Sequence, residues 1–174
     1  MKMLLPALVA FLVLITLRDL RGDAAGPTLK ITSPVFAEGQ QIPKRFTCDG
    51  TNISPALAWS GIPAGTKALT LILDDPDAPS GLFTHWIVVN LPPETNSLPE
   101  GARALPAGSG QGINDFGKVG YGGPCPPKGR HRYVFHLYAL DARQPVEKPS
   151  RLQVDVFLRK HTLAQGSLTG KYQR

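Results

Sequence analysis

Three stretches of the chain carry strong strand patterns. Lys67 to Asp74 reads KALTLILD, with apolar residues nearly continuous rather than alternating. Such a run predicts a strand covered on both faces. His85 to Leu91 (HWIVVNL) places three β-branched residues, Ile87, Val88 and Val89, in succession, which fits a pleated, buried surface. Tyr133 to Leu140 (YVFHLYAL) mixes aromatic and aliphatic side chains with polar ones between, and predicts a central strand. Weaker strand patterns occur at Leu29–Thr32, at Pro55–Trp59 and at Leu168–Tyr172. Val35 to Ser54 is polar and turn-rich, and Pro92 to Gly117 is a long irregular segment.

A helical period is present only in Ser150–Gln165, where Leu152, Val156, Leu163 and Ala164 recur near the required spacing. Ser150 supplies an N-cap and Gly166 a stop. Many short strands with one late helix predict a mainly β protein: an antiparallel two-sheet β-sandwich with a short C-terminal helix.

Composition sharpens this picture. The chain has 174 residues, enough for one domain with a proper core. Its 18 glycines and 17 prolines are scattered among apolar runs, as rigid turns between short elements require. Residues 1–25 read as a signal peptide. Lys2 precedes an apolar run from Leu4 to Leu17, and small residues follow at Ala24, Ala25 and Gly26. The run is shorter than the ~20 residues that span a bilayer as a helix. Arg18-Asp19-Leu20-Arg21 keeps an uncleaved N-terminal anchor as the alternative. The reading is therefore a periplasmic or secreted protein with a single domain over 26–174, or else one held at the membrane by its N-terminus.

The formal net charge is +6. This mild excess contains no basic run of the kind that tracks nucleic acid, and supports only a general attraction to anionic surfaces. An even pair of cysteines, Cys48 and Cys125, in an exported chain predicts one disulfide. Two buried thiols are the alternative. Neither cysteine has a close ligand partner for a metal, and no cofactor motif is present.

Three polar clusters sit at strand ends. Asp74-Asp75-Pro76-Asp77-Ala78-Pro79 follows the first strong strand, and His85 opens the second. Gly123-Pro124-Cys125-Pro126-Pro127-Lys128-Gly129-Arg130-His131-Arg132-Tyr133 leads into the third. In a sandwich such ends meet at a rim, so acids and histidines there make a candidate site. Taken singly, each also has a structural reading. Asp-Pro-Asp-Ala-Pro is turn chemistry, and a histidine beside a tryptophan is often a satisfied core residue.

Together these segments resemble the phosphatidylethanolamine-binding protein family, in its bacterial, Raf-kinase-inhibitor-like branch. The resemblance rests on Cys48-Asp49-Gly50 with Asn52-Ile53-Ser54-Pro55, Asp75-Pro76-Asp77-Ala78-Pro79, His85-Trp86-Ile87-Val88-Val89-Asn90, Asn114-Asp115-Phe116-Gly117, Gly120-Tyr121-Gly122-Gly123-Pro124, and Pro126-Pro127 through His131-Arg132-Tyr133 to Leu140-Asp141. It runs in family order from about residue 29 to 173. It implies a two-sheet sandwich with a small pocket for phosphate and phosphorylated head groups. By matching position, Asp75, Asp77, His85, Pro126, Pro127, His131 and Tyr133 are the implied ligand-binding residues. The C-terminal helix that shapes the pocket in animal members has no counterpart here.

The residue types suit an anion. Two imidazoles can donate N–H bonds, with charge assistance when protonated. Backbone N–H groups of a Gly/Pro loop add more. Asp75 raises the pKa of a neighbouring histidine and fixes its tautomer, or accepts from an ammonium or a phosphate hydroxyl. Pro126 and Pro127 stiffen the wall, so little order is lost on binding. The implied partners are phosphate or a phosphorylated small molecule, a phospholipid head group with peripheral membrane contact, and at most a weak homodimer. Two further function classes remain: an interaction module that inhibits a kinase or protease, and a phosphoester or ester hydrolase. Against the enzyme, Ser80 and Ser109 lack the setting of an activated nucleophile. His136 reads as structural and His161 as a surface residue.

Overall fold

The computed structural model describes residues 28–174; the signal or anchor assigned to 1–25 lies outside them. Among the described residues eight strands form two antiparallel sheets. The smaller has the order β1-β2-β5, from Lys30–Thr32, Leu57–Ser60 and Ser97–Leu98. The larger has the order β6-β4-β3-β7-β8, from Gly110–Gln111, Phe83–Leu91, Ala68–Asp75, Arg130–Leu140 and Thr162–Gln173. Among the described residues there is one α-helix, α1 (Arg151–His161), which leads directly into β8.

The strand patterns are explained by which faces are covered. Every residue of β3 is buried. Leu69, Leu71 and Leu73 point into the core between the sheets, with Trp86, Val88, Phe135 and Leu137 from the neighbouring strands and Ile31 and Trp59 from the small sheet. Ile72 points to the opposite face, where Ile87, Val89 and Leu140 meet Val154 and Leu158 of α1. The five-stranded sheet is thus packed on both sides, by a sheet and by a helix.

The helix differs from its sequence pattern. Ser150 does cap it, in a reciprocal box with Gln153. It ends at His161, however, and Gly166 is no stop but a residue within β8. A Cβ at Gly166 would stand 2.1 Å from the Leu29 carbonyl oxygen, so glycine lets β1 approach β8. The buried face is Val154 and Leu158, whereas Leu152 and Val156 are exposed. The segment Pro92–Gly117 is less irregular than its composition implies, since it contributes the short edge strands β5 and β6.

Two register shifts interrupt the β3–β4 ladder. Leu73 faces Trp86 but Asp74 faces Thr84, which leaves His85 as an extra residue. Leu69 faces Leu91 but Leu71 faces Val88, so a second extra residue lies near Asn90, whose φ is 60°. Bulges of this kind re-aim side chains.

Candidate functional site

The first bulge builds the site. Trp86 points into the core between the sheets, and strict alternation would send His85 to the helix side. The extra residue instead turns the His85 ring to the same side as Trp86, against Tyr133. Phe83, Phe116 and Tyr133 each meet the His85 ring edge-on, at centroid distances of 5.1, 5.2 and 5.2 Å. His85 is 3% exposed. Its Nδ1 lies 2.8 Å from the Gly122 carbonyl oxygen. A carbonyl only accepts, so Nδ1 carries the proton and Nε2 keeps a lone pair.

Asp75 ends β3 on the same side. Its Oδ1 accepts from the Asp77 N–H at 2.8 Å and its Oδ2 from the His131 Nδ1–H at 2.7 Å. Both partners of the Asp75–His131 pair are buried. Tyr133, two residues along β7 from His131, is fully buried, and its hydroxyl has no hydrogen-bond partner. Burial, then the Asp75 carboxylate, push that phenol well above its ordinary value.

A cavity of about 320 Å³ opens over these groups, lined by Asp75, His85, Pro79, Phe83, Phe116 and Pro127, with Ala78, Ser80 and Cys125 completing the wall. The loop around Gly122 is tied down at several points. The Cys48–Cys125 disulfide joins it to the segment after the short 3-10 turn Lys44–Phe46. The Cys48 N–H donates to the Pro124 oxygen, the Gly123 N–H to Asn52 Oδ1, and the Tyr121 hydroxyl to the Phe46 oxygen. Gly122 leaves room for Phe116, because a Cβ there would sit 2.6 Å from the phenyl ring. Asn114 holds Phe116 in turn: its Oδ1 accepts from the N–H groups of Phe116 and Lys118, and its Nδ2 donates to the Gly120 oxygen.

The seven residues implied by the resemblance therefore divide. Asp75, His85 and Pro127 line the cavity, and His131 and Tyr133 stand behind them and fix their places. Pro126 is buried outside the lining. Asp77 does not line the cavity either. Its carboxylate accepts from the Arg132 backbone N–H at 2.9 Å and from the Nε–H and Nη2–H of the guanidinium, which holds the Asp77 pKa down to about 2.

Phe83, Phe116, Pro79 and Gly122 are the participants that sequence reasoning did not single out. Phe116 belonged to a quoted motif but carried no visible role, and Gly122 acts through its carbonyl, which no side chain announces. The histidine chemistry also differs from expectation. Burial is the largest influence on His85 and lowers its pKa, against the opposing pull of the Gly122 carbonyl and Asp75. At neutral pH it presents an acceptor to the cavity rather than an N–H. Its tautomer is set by a backbone carbonyl, and only the His131 tautomer is set by Asp75.

Comparison with known proteins gives one consistent result. The family model described as phosphatidylethanolamine-binding protein matches residues 32–173. A protein of Aquifex aeolicus named UPF0098 protein is 47% identical over 87% of this chain and 92% of its own length. A second UPF0098 protein, from Pyrococcus horikoshii, is 42% identical over all of this chain and 91% of its own. Among solved structures, a putative phosphatidylethanolamine-binding protein homologue from Chlamydia trachomatis superposes with a TM-score of 0.80 at 40% identity, covering 85% of this chain and 99% of that one. YbcL of E. coli, described as a member of the mammalian family, gives 0.79 at 37% identity, with 84% and 98% covered.

Proposed function

The chain belongs to the phosphatidylethanolamine-binding protein family, and from that premise we propose that it is an exported binding protein whose cavity takes phosphate-bearing head groups or small phosphorylated molecules. The observation that carries this reading is the arrangement of His85 Nε2 and the buried Asp75–His131 pair beside a preformed 320 Å³ cavity. Export rests on the apolar run Leu4–Leu17 and the small residues after it.

The geometry favours one protonation form of the proposed anion. With neutral His85 and the Asp75 carboxylate in the wall, the favoured ligand brings its own proton. A phosphate in its monoanionic form, dihydrogen phosphate or a singly protonated monoester, donates its P–OH to His85 Nε2 or to Asp75, and so avoids placing a dianion against a carboxylate. An ammonium on the same molecule, as in phosphoethanolamine, donates to the same acceptors. Phe83, Phe116 and Pro127 exclude water around the head group and strengthen those bonds. Binding is preferred to hydrolysis for a specific reason. Among the described residues, no serine, threonine or cysteine side chain hydrogen-bonds to His85 or His131, and Cys125 is engaged in the disulfide.

The test is an NMR titration of the processed protein with phosphate and phosphoethanolamine at several pH values, following the His85 and His131 ring signals. We expect saturable shifts at both rings, tighter binding as pH falls below the ordinary histidine range, and loss of the response in His85→Ala. Rings that do not move at millimolar ligand would overturn the reading.

A further inference from the structure

Asn90 lies near the opposite end of β4 from His85, at the second bulge. There a cavity of about 670 Å³ opens between β4, β6 and the loop that follows β7. It shares no lining residue with the cavity over His85. Gln144 lines it and is 6% exposed. Its backbone is clamped by Asn90, whose Nδ2 donates to the Gln144 oxygen at 2.9 Å and whose Oδ1 accepts from the Gln144 N–H at 2.8 Å. The Gln144 side chain is not so well served. Oε1 accepts only a long bond from the Val146 N–H, and Nε2, although buried, has no partner. Ser109, on the same cavity, has a buried hydroxyl that is also without a partner. Buried donors left unpaired are costly and call for an explanation. Two of the three non-glycine residues with left-handed backbone among the described residues, Asn90 and Lys148, line this cavity. Strain of that kind collects where ligands are clamped.

The rim is cationic. Arg103 and Lys148 are exposed and form no salt bridge among the described residues, and Glu147 is the acid of the lining. Leu105, Val119 and Val146 supply an apolar wall, and Val119 and Val146 are exposed at 48% and 38%.

We propose that this is a second ligand site, for a small organic carboxylate with an apolar body. An acceptor is what Gln144 Nε2 and the Ser109 hydroxyl lack. The planar guanidinium of Arg103 matches a carboxylate in two-pronged fashion. Two cations against one acid suit a monoanion better than a phosphate dianion. The volume exceeds the needs of an inorganic ion and falls within the ~300–1,000 Å³ of small-molecule pockets, and the apolar wall covers the ligand's body.

The probes are benzoate and hexanoate, with benzamide as the uncharged analogue. Each is titrated into the ¹⁵N-labelled processed protein while the Gln144 side-chain amide and the His85 and His131 rings are followed. We expect saturable movement of the Gln144 amide with both acids, unmoved histidine rings, and little response to benzamide. Arg103→Ala, a change at an exposed side chain, weakens benzoate binding about tenfold, the value of one charge-assisted bond, and leaves the phosphate response of His85 unchanged. A Gln144 signal that stays still at millimolar acid overturns the proposal. So do shifts confined to the histidine rings, an equal response to benzamide, or benzoate binding indifferent to Arg103→Ala.

Discussion

The two ends of β4 use one device, a bulge, to build two unlike places. At the His85 end the extra residue turns a ring inward, among three aromatic edges and beside a carboxylate whose two oxygens are both engaged. A disulfide and a loop without room for a Cβ at Gly122 hold that end closed. At the Asn90 end the extra residue spends its side chain on the backbone of Gln144, and the cavity is twice as large, with a cationic rim. One end is small and covalently braced, with a single buried hydroxyl, that of Tyr133, left unpaired. The other is wide and leaves donors unpaired. A bulge therefore creates the opening, and the loops packed against it decide its chemistry.

That contrast can be broken first at the disulfide. Replacing Cys48 and Cys125 by alanine releases a closed loop of 77 residues. It should lower stability by about 4–5 kcal/mol in urea unfolding on the chain-entropy account. Hydrogen exchange should quicken around Gly122–Cys125 and stay slow at Asn90 and Gln144; equal quickening at both ends would mean that the braces are not local.

Next in size is the buried pair. Asp75→Ala leaves the His131 ring without its acceptor and should cost about 3–5 kcal/mol, with loss of the phosphate response at His85. At the other end, Asn90→Ala removes both bonds to Gln144 and places alanine at φ 60°, at about 1–3 kcal/mol. Asn90→Gly should be milder, because glycine accepts that backbone without strain. A thermal melt in which both variants fall equally would assign the whole cost to the hydrogen bonds.

pH acts more gently, through two histidine rings. Burial depresses the pKa of His85 and of His136, so each is neutral in the fold where the unfolded chain would take up a proton. Their contribution is complete above the unfolded value of 6.5 and is lost as pH falls from there toward their lower folded values. Urea midpoints should decline below that pH, and His85→Gln should flatten part of the decline. The smallest effect belongs to Asp77→Asn. Because its carboxylate is held by Arg132 outside the cavity lining, the phosphate response should be unchanged; a weakened response would return Asp77 to the binding site.

Much of the fold was readable in one dimension. The continuous apolar run of β3 announced a strand covered on both faces, and each of its residues is buried. Ser150 announced a helix start, and the capping box is there. Asp75, His85 and His131 were legible as candidate site residues because their types and order matched a family pattern, and the strand ends place them close together.

Other features were decided only by the packed structure. Periodicity gives two candidate faces for a helix, and the sheet chose Val154 and Leu158 over Leu152 and Val156. Gly166 looked like a helix stop, yet its lack of a side chain serves the approach of Leu29. Asp77 belongs to the same motif as Asp75 but is claimed by Arg132. The His85 bulge depends on how β4 pairs with β3, and that register sends the ring into the pocket. Residue types and local periods are properties of the chain and can be read from it. Which face is covered, which ring turns inward and which acid is left facing a cavity depend on partners distant in sequence, and those exist only once the sheets have paired.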